Sequence, residues 1–105
     1  MKSERNVIKN VNNKYAVINL RKVDGNPQTP QELLEAISKN PESVEFGLES
    51  SQDEFWLIKL RDKYAAVALQ AYADAARADD PEYADMVDQK VKRAGPNSAF
   101  CKAPD

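Results

Sequence analysis

The spacing of hydrophobic positions changes along this chain, and the changes mark its elements. From Tyr15 to Val23 the residues are β-formers, with Ala16, Ile18 and Leu20 on one face and Tyr15, Val17, Asn19 and Arg21 on the other. This alternation predicts a first strand, closed by Asp24-Gly25-Asn26-Pro27. Ser43 to Ser50 alternates again, Val44, Phe46 and Leu48 against Glu45, Gly47 and Glu49, as a half-exposed strand does. After a turn at Ser50-Ser51-Gln52-Asp53, both faces of Glu54 to Leu60 are hydrophobic: Phe55 and Leu57 on one, Trp56, Ile58 and Leu60 on the other. That pattern suits a third strand, hairpin-paired to the second and covered on both sides. Before Tyr15 only Val7, Ile8 and Val11 offer apolar surface, so Met1 to Lys14 reads as a short strand turning at Asn12-Asn13 or as a loose arm.

Helical spacing replaces strand spacing at three places. Thr29-Pro30-Gln31-Glu32 is a helix start, with Thr29 as cap, Pro30 at the first helical position and Glu32 completing a capping box. Leu33, Leu34 and Ile37 then share a face, and Asn40-Pro41 ends the helix at Lys39. Asp62 caps a longer helix over Lys63 to Ala78, in which Tyr64, Val67, Leu69 and Tyr72 are separated by alanines. Its polar residues Lys63, Gln70, Asp74 and Arg77 fall on one narrow stripe, and nearly everything else is apolar. Asp79-Asp80-Pro81 turns into a last helix from Pro81 to Ala94, with Tyr83, Met86, Val87 and Val91 predicted inward. Its acids precede its bases, matching the helix dipole. Gly95-Pro96 stops it, and a polar tail with Phe100 and Cys101 follows.

These elements predict a single α+β domain over residues 1–105, with 1–13 and 96–105 as loosely ordered ends. A small antiparallel three-stranded sheet is packed by one short helix and a C-terminal helical hairpin. The long helix is read either as cover for the sheet or as an oligomer interface.

Composition narrows the function. At 105 residues the chain can bury roughly two-thirds of its unfolded surface and needs no metal or disulfide to fold. A net charge of −2 argues against a protein held on nucleic acid by a basic surface. The single cysteine, Cys101, points to a reducing compartment. Met1-Lys-Ser-Glu-Arg-Asn is charged and no apolar run of spanning length follows, so the expectation is a cytoplasmic protein without membrane association.

Much chemistry is missing as well. There is no histidine, which removes the commonest general base and metal ligand. With one cysteine there is no zinc site and no cysteine–histidine dyad. Gly25, Gly47 and Gly95 are scattered, so no phosphate-cradling loop exists. Carboxylates are plentiful, but Glu45 and Glu49 fit the wet face of a strand and Asp79 and Asp80 fit caps. The reading is therefore a protein without catalysis, cofactor or metal.

The one cluster with ligand chemistry is Lys59, Arg61 and Lys63 at the strand-to-helix junction, flanked by Trp56 and Tyr64. Cations beside helix-start N–H groups can hold an anion or nucleotide. Against that, Asp62 already occupies the cap, and a lone strand tryptophan belongs to a core more often than to a binding site.

The run Trp56-Leu57-Ile58-Lys59-Leu60-Arg61-Asp62, the helical Leu69-Gln70-Ala71-Tyr72-Ala73 and the closing Cys101-Lys102-Ala103-Pro104-Asp105 resemble small uncharacterised bacteriophage and prophage proteins. The resemblance covers less than half the chain and carries over no site residue. It implies phage or prophage origin. With the small size, the absent catalytic residues, the acidic surface and the long helix apolar on most sides, the expectation is a non-catalytic phage-type accessory protein in the host-cell cytoplasm that binds a host or phage protein as a homo-oligomer. The alternatives are a small-ligand binder and a minor structural component of the virion.

Overall fold

A computed structural model describes residues 14–103, so the N-terminal strand or arm expected before Tyr15 lies outside the described residues except for Lys14. The chain is α+β: its described residues form three α-helices and one two-stranded antiparallel sheet. They fall into two compact units, the first ending at Trp56 and the second beginning at Leu57.

In the first unit, β1 (Val17–Ile18) pairs with β2 (Val44–Glu45), Val17 opposite Glu45 and Ile18 opposite Val44. Both strands are far shorter than the alternation at Tyr15–Val23 and Ser43–Ser50 predicts, and the causes are local. Asn19 folds its side chain back to accept from the Arg21 N–H at 3.1 Å, which starts a 3-10 turn over Leu20–Lys22. The same residue fastens the end of the sheet: its N–H donates to the Ser43 carbonyl at 2.8 Å and its Nδ2 donates to Glu45 Oε2 at 3.2 Å. On the other strand Pro41–Ser43 is a 3-10 turn, and Gly47 takes a φ of +61°, so extended backbone survives only between them.

Helix α1 (Pro30–Lys39) forms where its capping signals place it. Thr29 Oγ1 accepts from the Glu32 N–H at 3.1 Å, and Glu32 Oε1 reaches back to the Gln28 N–H at 2.8 Å, so two otherwise orphaned donors are satisfied. At the far end Asn40 donates to the Ala36 carbonyl from both its N–H and its Nδ2 before Pro41 diverts the chain. Val23, Ala36, Ser43 and Gly47 are buried here, while Leu34 and Leu20 are exposed, contrary to the apolar faces predicted for them.

No strand forms over Glu54–Leu60, which corrects the predicted three-stranded sheet. A strand needs an edge to pair with, and β2 offers two residues. The turn before it is also closed on itself: Ser50 has a φ of +67°, its N–H donates to Glu54 Oε1 at 3.0 Å, and Ser51 Oγ donates to the Leu48 carbonyl at 2.7 Å. Trp56, the last residue of the first unit, is 72% exposed and not core.

In the second unit α2 (Ala65–Ala76) packs along α3 (Pro81–Val91). Asp80 caps α3 by accepting from the Tyr83 N–H at 3.1 Å, with Pro81 at the first helical position. Helix α3 stops three residues before the predicted Ala94, where Asn97 Nδ2 donates to the Val91 carbonyl at 3.0 Å. Gly95, at a φ of +54°, then lets the chain lie against the start of α2: a side chain there would meet Ala66 Cβ and the Lys63 carbonyl at 3.1 Å. The core of this unit is Ala65, Ala73, Ala84, Ala94 and Val87. Small side chains let the helices approach closely. Each buried methyl contributes only about 0.8 kcal/mol.

Candidate functional site

Where the second unit begins, the junction predicted to carry ligand chemistry is held by backbone contacts to the C-terminal tail. The Lys102 N–H donates to the Arg61 carbonyl and the Lys63 N–H donates to the Lys102 carbonyl, each at 2.9 Å, so Lys102 pairs in parallel across Asp62. The Gly95 N–H donates to the Leu60 carbonyl at 2.7 Å. Asp62 Oδ1 accepts from the Tyr64 N–H at 2.8 Å, and Lys63 Nζ sits 5.1 Å from the centre of the Tyr64 ring. Lys59, Arg61, Lys63 and Tyr64 are thus brought to one junction, and Lys102 joins them from the far end of the chain. Trp56 belongs to the other unit. Asp62 does not cap α2 as expected: Tyr64 holds the cap position without a side-chain cap, and the Asp62 carboxylate accepts from the Tyr64 N–H just before the helix, while Lys59, Arg61 and Lys102 each have interaction partners already.

The second arrangement is the seam between α2 and α3. Arg77 forks across it, Nη1 to Asp85 Oδ1 at 2.9 Å and Nη2 to Asp88 Oδ2 at 2.6 Å. Gln70 Nε2 donates to Asp74 at 3.1 Å and to Asp88 at 3.3 Å. The Asp88 hydrogen bond is the main reason the Arg77 guanidinium is held above its ordinary pKa, with Asp85 adding to it. Beyond the seam, Tyr72 and Tyr83 meet edge to face with ring centroids 6.1 Å apart and their hydroxyls 3.0 Å apart. That hydrogen bond raises the Tyr83 phenol pKa above its usual value, helped by the nearby Tyr72 charge, burial and Asp80.

A consequence follows for the rest of α2. The polar residues Gln70 and Arg77 are spent on α3, and Ala65 and Ala73 are buried. At 100° per residue, Val67, Ala71, Ala75 and Ala78 then point away from the packed side, with Tyr64 at the same face's start. All five are exposed, Tyr64 at 57% and Val67 at 76%. Tyr72, Tyr83 and Met86, the last two predicted inward, are exposed as well. Several large apolar side chains of this unit are thus exposed, Leu57, Leu60, Leu69 and Val91 are half-buried, and the buried ones are alanines and Val87.

Of the predicted stripe, Lys63 lies exposed before the helix and Asp74 pairs within it, but Gln70 and Arg77 face α3. A sequence signal for this exists: Asp85 and Asp88 are three apart and follow Arg77 after a short turn, so one basic fork can reach both. The apolar pattern of Val67, Ala71 and Ala75 fits cover for the sheet and an outward face alike, and the structure places these residues outward.

In the first unit an open cleft of about 410 Å³ is lined by Asp24, Glu32 and Glu35 among others. Its acids have local roles, Glu32 in the α1 cap and Glu35 in an ion pair with Lys39 at 3.3 Å. Among the described residues no cluster of His, Cys, Asp and Glu could hold a metal ion, and no helix is long and apolar enough to cross a membrane. Compared with known protein families, curated proteins and solved structures, the chain matches none.

Proposed function

We propose that this chain is a non-catalytic protein of phage type that acts by binding a host or phage protein through the outer face of α2. The observation that carries this reading is the orientation of α2: Gln70 and Arg77 are paired with α3, and Tyr64, Val67, Ala71 and Ala75 face solvent. A continuous apolar strip on an otherwise charged surface is a mark of an interface. The resemblance of its Trp56–Asp62 and Leu69–Ala73 runs to phage proteins supplies the phage part. The test is capture from host lysate, with and without phage infection, by the wild type and by Val67→Glu. A protein retained by the wild type and lost by a folded Val67→Glu supports the reading, and equal capture by both overturns it.

A second reading, an anion or nucleotide binder at Lys59, Arg61, Lys63 and Tyr64, is favoured by the approach of Lys102 to the same junction. The Asp62 carboxylate at the helix start counts against it. A nucleotide panel that leaves the unfolding temperature unmoved removes this reading. A role as a minor structural component would instead place the chain in purified virions.

A further inference from the structure

We infer that the turn end of the α2–α3 hairpin receives a lysine side chain of a partner protein, its ammonium seated at the Tyr72 and Tyr83 rings and facing the Asp80 carboxylate. None of these residues belongs to the apolar strip of α2, so the site stands apart from the docking reading above.

The tyrosines point to a cation. Of the four in the chain, Tyr15 and Tyr64 each carry a lysine ammonium of the same chain over the ring, Lys14 at 5.5 Å and Lys63 at 5.1 Å. Among the described residues Tyr72 and Tyr83 carry none, and they remain 52% and 42% exposed. Their rings stand at 79° to each other with centroids 6.1 Å apart, and the hydroxyl contact at 3.0 Å fixes the corner they make. A cation is drawn to a ring face out to about 6 Å, so one ammonium can reach both rings.

The surrounding charge has the matching sign. From Ala78 to Gln89 the chain carries Asp79, Asp80, Glu82, Asp85 and Asp88 and no base. Arg77, just before, is taken by Asp85 and Asp88. That leaves Asp79, Asp80 and Glu82 exposed at the turn, none of them paired with a cation among the described residues. Asp80 accepts from the Tyr83 N–H at 3.1 Å, which holds its carboxylate near enough for its charge to act on the Tyr83 phenol. The carbonyl end of α2, closing at Ala76, adds negative potential, and the Asp80 cap offsets the positive start of α3.

The chemistry suits lysine. Met86, 66% exposed and one turn past Tyr83, gives the aliphatic stem of a lysine an apolar bed. A guanidinium is better served by two carboxylates set as Asp85 and Asp88 are, and those are occupied.

The experiment is an NMR titration of the tyrosine ring signals with a capped glycine–lysine–glycine peptide at constant ionic strength, beside the same peptide with its lysine acetylated. The lysine peptide should shift the Tyr72 and Tyr83 signals to saturation, and the neutral one should not. Asp80→Asn keeps the α3 cap through its amide oxygen and removes the charge. It should weaken lysine-peptide binding about threefold, while Asp53→Asn, an equal loss of charge at an exposed residue of the first unit, should not. Tyr72→Leu should also weaken it about threefold, and Tyr72→Phe, which keeps the ring, should retain it. Equal shifts with the two peptides overturn the proposal. So does an Asp80→Asn that binds no more weakly than Asp53→Asn, or a folded Tyr72→Leu that binds as tightly as Tyr72→Phe.

Discussion

Arg77 on α2 holds Asp88 on α3 at 2.6 Å, and with its other nitrogen holds Asp85 at 2.9 Å. This fork orients α2, because a helix whose guanidinium faces its neighbour turns its Val67 and Ala71 side outward. Arg77→Ala is expected to lower the unfolding temperature and leave Asp88, whose side chain is only 31% exposed, without its cation. Arg77→Lys should fall between, since an ammonium cannot fork to two carboxylates. Thermal unfolding in low and high salt checks this: the deficit of Arg77→Ala should shrink as salt screens the pairs. A deficit that is nil at both salt levels contradicts the role.

Gly95 lets the chain pass the start of α2 at contact distance. Gly95→Ala is expected to cost roughly 2–5 kcal/mol, combining a left-handed backbone penalty with overpacking against Ala66 and the Lys63 carbonyl. Gly25, at a φ of +76° with nothing within 4 Å, isolates the backbone part, so Gly25→Ala should cost only about 1–2 kcal/mol. Urea unfolding of the two variants distinguishes them, and equal losses would mean that the Gly95 contacts are not tight.

Ser43 is fully buried, and among the described residues its hydroxyl has no hydrogen-bond partner. Ser43→Ala should therefore stabilise the protein, by about 1 kcal/mol, since it removes a buried polar group without enlarging the side chain. A variant less stable than the wild type in urea would show that the hydroxyl is satisfied.

The Tyr72–Tyr83 hydroxyl contact makes a prediction for alkaline pH. The Tyr83 pKa is raised in the folded state above the ordinary 10.0, so folding favours the protonated phenol. Its contribution to stability is complete below pH 10.0 and is lost as pH rises through the folded value. Phenolate absorbance should show a tyrosine titrating above 10.0, and Tyr72→Phe should bring it back toward that ordinary value. A titration identical in wild type and Tyr72→Phe contradicts the contact.

What the sequence made legible was what depends on neighbours in the chain. Thr29, Pro30 and Glu32 set the start of α1, Asn40-Pro41 its end and Asp80-Pro81 the start of α3, because capping is settled within four residues. Helix α2 was visible from its alanines, with its ends drawn in to Ala65 and Ala76. The strands failed because alternation shows which residues could share a face and not whether a partner edge exists. Gly47 and Ser50, both at positive φ, ended the second strand and the third never paired. The basic junction was legible at Lys59, Arg61 and Lys63, but Lys102 was not, since its place there is set by backbone pairing across the fold. The direction in which α2 points was hidden for a related reason: an apolar face reads as core until a polar seam is known to claim the other side.

The most direct measurement is capture from host lysate, with and without phage infection, by the wild type and by a folded Val67→Glu. The expected result is a protein retained by the wild type and lost by Val67→Glu. Equal capture by both would contradict the account.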